Sequence, residues 1–217
     1  MMEAEIKARS TAAEMRRESD SIGTLDVPVN AYYGIQSLRA QRNFRITGSR
    51  LNPVFIGNLA KIKKAAVRVN RKSGRMAQEK AEAIEKACDE ILEGKLHDSF
   101  IVDGIQGGAG TSANMNANEV VANRAIELLG GMRGDYRIVH PNDDVNMCQS
   151  TNDVIPTAGK LTALDLLKPL ESNLKALANQ LLAKSREFDL ILKMGRTQLR
   201  MRCRCAWDRV STHTRPW

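Results

Sequence analysis

The sequence predicts a mostly α protein: a small N-terminal domain with short β segments, followed by the first long helix of a central helical bundle. Three features carry that expectation. Leu167, Leu170, Leu174, Leu177 and Leu181 recur at spacings of three, four, three and four, the seam of a bundle helix. Two earlier stretches, Asn52 to Gly74 and Gln78 to Gly94, place apolar residues at helical period between a helix-start signal and a glycine stop. Aromatic residues make up only 4% of the chain while Leu and Ala are plentiful, which suits helices packed on other helices.

Residues 1–19 mix charges and small side chains without an apolar run, and no later stretch approaches a membrane span, so a cytoplasmic, soluble chain is expected. From Ile22 the text GTLDVPVNAYYG, with Pro28 and β-branched residues, predicts short extended segments and turns. Asn52 and Pro53 open a helix that should turn Ile56, Leu59, Ile62, Ala66 and Val69 inward. The next, Gln78 to Glu93, should bury Ala81, Ile84, Cys88, Ile91 and Leu92. Gly107, Gly108 and Gly110 then form a flexible turn, after which Asn114, Asn116 and Asn118 lead into a helix stopped by Gly130.

The stretch His140 to Thr157, HPNDDVNMCQSTNDVIPT, precedes the long helix, with Asn152 or Asp153 as expected N-cap and Pro156 in the first turn. Such a start offers Ser150, Thr151 and Asn152 beside unpaired amides, a place for a carboxylate or phosphate; taken alone, the same residues read simply as caps. The helix should run from Asp153 to Glu187, kinked or interrupted at Pro169, and Leu190 to Met194 should be extended. Domain boundaries are expected at 1–143, 144–199 and 200–217. Three clusters of neutral donors thus end separate elements, Thr111 to Asn118, Gln149 to Asp153, and Thr197 with Gln198, and neutral donors suit recognition of a small carboxylate. Cys88, Cys148, Cys203 and Cys205 have no zinc-site spacing, so no metal is expected.

In order and spacing the clusters resemble three signatures of the fumarase/aspartase superfamily: GTSANMNANEV, HPNDDVNMCQSTND and KMGRTQL, with AYYG at residues 31–34. The likeness runs from about Glu18 to Leu199. Reading GTSANMN, CQSTND and GRTQL in place of GTQxNMN, QSSND and GRTHL, the chain is similar to the aspartate ammonia-lyase branch. The resemblance implies reversible elimination of ammonia from L-aspartate to give fumarate, without cofactor, in a homotetramer whose sites draw on three subunits; the oligomeric state of this chain is left open. It places Thr111, Ser150, Thr151, Asn152 and Thr197 around the substrate carboxylates, with Ser112, Asn114 and Gln198 nearby. Arg137, His140, Asn142 and Asp143 match a second dicarboxylate site. The alternatives are a fumarate hydratase-like lyase and a noncatalytic helical fragment that retains assembly or carboxylate binding.

Two departures qualify the resemblance. The family's serine-base loop, in a pattern like GSSIMPxKxNP, does not occur in these 217 residues, so no catalytic residue is assigned and the chain alone is expected to be inactive. The last eighteen residues hold half of the net charge of +8, two of the four cysteines and both tryptophans. Codons chosen freely for Arg200 to Thr214 can be read two bases later as DAVPMRLGQSFHAY, like the family's continuation, and the single-codon residues Met201 and Trp207 both fit. The tail therefore reads as a frameshift product, disordered and without nucleic-acid function; a basic tail that binds phosphates is the competing reading.

Overall fold

The computed structural model describes residues 14–198 and 200–206. Strands β1 (Met15–Asp20) and β2 (Gly23–Pro28) form an antiparallel hairpin in register Met15 to Pro28 and Asp20 to Gly23. Asp20 Oδ1 closes its turn by accepting from the amides of Ile22 (2.9 Å) and Gly23 (3.1 Å). Helices α1 (Ile35–Asn43), α2 (Pro53–Lys72), α3 (Gln78–Leu92) and α4 (Thr111–Leu128) follow. A single π-type turn (Pro141–Val145) leads to the long α5 (Thr151–Glu187). The protein is thus mostly α with short strands, as the sequence predicts.

Asn52 caps α2 through its side chain, which accepts from Val54 N at 2.9 Å, with Pro53 in the first turn. The inward stripe of α2 is Ile56, Leu59, Ala60, Lys63, Val67 and Asn70, whereas Val69 is 64% exposed. The expected stripe fails at its end because it follows apolar residues only. The true stripe keeps the helical period by admitting Lys63 and Asn70. On α3, Ala81, Ile84, Cys88 and Ile91 are buried as expected, but Leu92 at the last turn is exposed.

The central element is α4, which starts at Thr111, so Asn114, Asn116 and Asn118 lie within it rather than before it. Nearly its whole circumference is buried, polar residues included. Val120, Val121 and Ile126 join Ile56, Leu59, Ile84, Phe100 and Val139 in one core. Val154 and Ala158, in the first turns of α5, are buried in the same core. The chain accordingly divides into compact units within α5, between Thr162 and Ala163.

The second unit holds the rest of α5 and an antiparallel hairpin, β3 (Leu192–Thr197) with β4 (Arg200–Ala206). Helix α5 continues through Pro169 without interruption. Loss of one amide donor is tolerated where the remaining turns stay bonded. The strand at Arg200–Ala206 departs from the disorder expected of the tail. Arg200, Arg202 and Arg204 alternate with Met201, Cys203 and Cys205, a period of two that the sequence reading passed over. The remainder of that tail, with Trp207 and Trp217, lies outside the described residues. No helix among the described residues is long and apolar enough to cross a membrane.

Candidate functional site

Two helix starts meet in the first unit. The glycine turn before α4 lets them do so: Gly110 has φ +84°, and a Cβ there would lie 2.9 Å from Cγ2 of Ile155 on α5. Gly110 has no side chain with which to cap α4. Gln106 serves instead, its Oε1 accepting from Ala113 N at 2.8 Å while its Nε2 donates to Asp103 O at 3.0 Å. Asp103 is itself held by Thr47 Oγ1 (2.7 Å) and the amides of Thr47, Gly48 and Ile105 (2.8 Å each), and the hydrogen bond from the Thr47 hydroxyl leads in holding its carboxyl well below the usual range.

At the start of α5 the cap is Ser150, two or three residues before the expected Asn152 or Asp153. Its Oγ accepts from Asn152 N at 3.2 Å, and its carbonyl accepts from Asp153 N and Val154 N at 3.0 Å. A hydroxyl two residues ahead competes successfully with the carboxamide, and Pro156 consequently falls in the second turn. Asn114, one turn into α4, joins the helices: its Nδ2 lies 3.3 Å from Thr151 Oγ1 and 3.1 Å from Asn146 Oδ1. The structure therefore brings together Asn114 and Thr151, flanked by Thr111 and Ser112 at the start of α4 and by Ser150 and Asn152 at the start of α5. Thr111, Ser150 and Asn152 are exposed, Ser112 and Thr151 half-buried. Asn114 is buried with its Oδ1 unpaired. The result is a solvent-facing set of neutral donors at two positive helix ends, an arrangement suited to an anion.

Thr197 and Gln198 belong to the second unit, where they turn β3 into β4; Gln198 has φ +47° and is exposed. The second set, Arg137, His140, Asn142 and Asp143, is only partly assembled. His140 Nδ1 accepts from Asp143 N at 3.1 Å, and Asn142 and Asp143 are exposed. Arg137 is turned to Asp135, which it meets with Nε at 2.7 Å and Nη2 at 2.9 Å, and this pairing lowers the Asp135 carboxyl.

The sequence reading missed the polar groups buried behind these surfaces. Glu119 on α4 accepts from the amides of Gly34 (2.9 Å), Gln36 (2.9 Å) and Ser37 (3.0 Å) and from the Ser37 hydroxyl. Burial pushes its carboxyl above the ordinary value, and the four donors oppose that push. Lys63 on α2 is fully buried, and its Nζ donates to Asn146 Oδ1 at 2.7 Å. Burial lowers its amine to about 7. Only the lysine's place on the 3.6-residue stripe of α2 could have signalled this.

The Lys63 shift carries a stability prediction. The unfolded amine titrates near 10.5 and the folded one near 7, so between these values the unfolded state binds the extra proton. The penalty of burying the charge is fully present below about pH 7, and stability recovers as pH rises toward 10.5. Lys63→Met should therefore raise the urea midpoint most at pH 6, and the gap to wild type should close by roughly 1.4 kcal/mol per pH unit above 7. A gap independent of pH from 6 to 10 would contradict the assignment.

Known proteins resemble the chain in sequence and in fold. It is 50% identical over 196 residues to the aspartate ammonia-lyase of Pseudomonas fluorescens, covering 89% of this chain and 41% of that protein. The aspartate ammonia-lyase of Bacillus subtilis is 50% identical over 186 residues, covering 86% and 39%. A solved structure titled fumarate lyase:delta crystallin from Brucella melitensis superposes with TM-score 0.86 at 48% identity, over 92% of this chain and 47% of that one. The class II fumarase of Schistosoma mansoni gives TM-score 0.80 at 35% identity, over 92% and 42%. The chain spans about two fifths of the length of the curated relatives it matches. Because the family model described as lyase also matches residues 23–202, the three polar clusters and the helical frame that carries them have one source: the chain belongs to this lyase family, that of the fumarases and aspartases.

Proposed function

We propose that the chain is the N-terminal part of an aspartate ammonia-lyase, and that the joined starts of α4 and α5 hold the carboxylates of L-aspartate and fumarate. The observation that carries this is the contact of Asn114 with Thr151, which gathers the donors of two signature motifs at two helix ends. In the elimination, a base takes a proton from Cβ and the electron pair passes into the adjacent carboxylate as an aci-carboxylate. That pair then forms the carbon–carbon double bond as ammonia leaves from Cα. Thr111, Ser150, Thr151 and Asn152 are assigned to the carboxylate on which charge develops, where loss of one such donor typically costs ~3 kcal/mol. Thr197 is likewise assigned to the substrate carboxylates, Ser112, Asn114 and Gln198 are assigned supporting contacts nearby, and Arg137, His140, Asn142 and Asp143 a second dicarboxylate position. The family setting is cytoplasmic and homotetrameric.

No serine-loop motif occurs in the 217 residues, so these residues bind carboxylates without supplying the base. Purified chain should give no rise in fumarate absorbance from L-aspartate, whereas saturable turnover by chain shown free of full-length enzyme would refute this. We further infer that the segment from Arg200 arose by frameshift, in keeping with a family match that stops at residue 202. Sequencing the gene across codons 198 to 217 tests it: a text in which inserting or deleting a single base restores the family continuation supports the inference, and its absence removes it.

A further inference from the structure

Lys63 is a buried cation without a buried anion. Among the described residues no carboxylate forms an ion pair with it, although burying an ammonium without an opposite charge beside it is strongly unfavourable. The neighbouring lysines are differently placed: Lys64 pairs with Asp89, and Lys80 with Asp144 at 2.8 Å. Facing Lys63 from α3 is the thiol of Cys88, which burial pushes up to about 12 and so keeps neutral. The carboxamide of Asn146 receives its hydrogen bond, and Asn114 of α4 bonds the same oxygen, neither side chain being charged.

The bonds leading away from Lys63 run to the candidate site. Asn146 Oδ1 accepts both Lys63 Nζ (2.7 Å) and Asn114 Nδ2 (3.1 Å), while Asn146 Nδ2 donates to Gln149 O at 3.1 Å. With its oxygen toward two donors and its amide toward a carbonyl, the Asn146 carboxamide has one orientation. Asn114 Nδ2 then reaches Thr151 Oγ1. Resting on the proposed dicarboxylate reading, we propose that Lys63 is a positioning residue of that site: it fixes Asn146 and, through it, Asn114 and Thr151. Its unmatched positive charge draws the dicarboxylate, so binding is tightest when Lys63 is protonated.

A neutral Lys63 holds Asn146 more weakly and adds no field, and the folded amine changes charge near pH 7. If only the protonated form binds well, affinity falls about tenfold between pH 6 and pH 8. The test uses the whole chain labelled with 15N-asparagine, followed by TROSY spectra, and calorimetric titration with succinate, an unreactive dicarboxylate. The side-chain amide signals of Asn114 and Asn146 should shift with one midpoint near pH 7 and stay flat in Lys63→Met. Succinate affinity should fall about tenfold from pH 6 to pH 8 in wild type, and Lys63→Met should bind weakly at both. A merely structural lysine would alter stability without altering the pH profile of binding. Amides that do not titrate overturn the positioning role whatever succinate does; titrating amides without succinate binding overturn the carboxylate reading of the site and the ligand half of this proposal with it. Succinate binding that is independent of pH and of Lys63→Met also overturns it. Should Lys63→Met fail to fold by circular dichroism, the wild-type titrations decide alone.

Discussion

Replacing Glu119 by alanine will destabilise the first unit by about 4 kcal/mol or more, and Glu119→Gln by roughly half as much. The argument starts at Gly34, which precedes α1 and has no side chain to cap it. A Cβ there would lie 2.4 Å from the Tyr136 hydroxyl and 2.7 Å from Glu119 Oε1, so glycine is required and the cap comes from elsewhere. Glu119 provides it from α4, accepting the amides of Gly34, Gln36 and Ser37. Alanine would leave these donors and the Ser37 hydroxyl facing apolar surroundings, each costing about 1–3 kcal/mol where water cannot reach. Glutamine keeps one acceptor oxygen and turns an amide toward donors. Glu18 holds the adjoining donor, Ile35 N, at 2.8 Å and is itself fixed by Arg16 at 2.7 Å, so the hairpin should loosen together with α1. Urea unfolding followed by circular dichroism reads the effect. An alanine variant within 1 kcal/mol of wild type would show that Glu119 is not the cap.

The sequence made parts of this arrangement legible and concealed others for one physical reason. Helix starts and stops announce themselves locally: Asn52, Pro53 and Gly74 bracket α2 through groups that act on adjacent backbone. The polar clusters at the starts of α4 and α5 were visible in the same way, although choosing between Ser150, Asn152 and Asp153 as cap needed the backbone itself. What periodicity could not show was polar burial. Apolar pattern reading sends Lys63, Asn70 and Glu119 to the surface, yet each is inside because a donor or acceptor distant in sequence meets it there. Asn116 makes the point on α4, taking the amide of Ile101 at 2.9 Å and giving to Ser99 O at 3.0 Å. The alternation from Arg200 to Cys205 was present in the text but was masked by its density of charge, so disorder was expected where a strand forms.

The chain will also self-associate through α5, and to more than a dimer. In the second unit Leu164, Leu167, Leu170, Leu174 and Leu177 are 52–58% exposed, a stripe along one helix that Leu166 flanks at 44% exposed, while Leu181, the last residue of the expected seam, is half-buried. Covering the exposed half of each leucine is worth roughly 1 kcal/mol, so two helices seam to seam would recover roughly 10 kcal/mol. Association costs about 4–15 kcal/mol, which leaves a two-helix contact marginal. A bundle of more copies covers both flanks of each seam and gains more per chain, so larger assemblies should dominate. Charge at the middle of the stripe should reverse this: Leu170→Glu with Leu174→Glu would place two carboxylates in the seam of every copy and should shift the chain to monomer while leaving the first unit folded. Sedimentation velocity under reducing conditions measures both states. A wild-type chain that sediments as a monodisperse monomer and binds no hydrophobic dye would mean that the seam is covered within one molecule, and the assembly reading would fail.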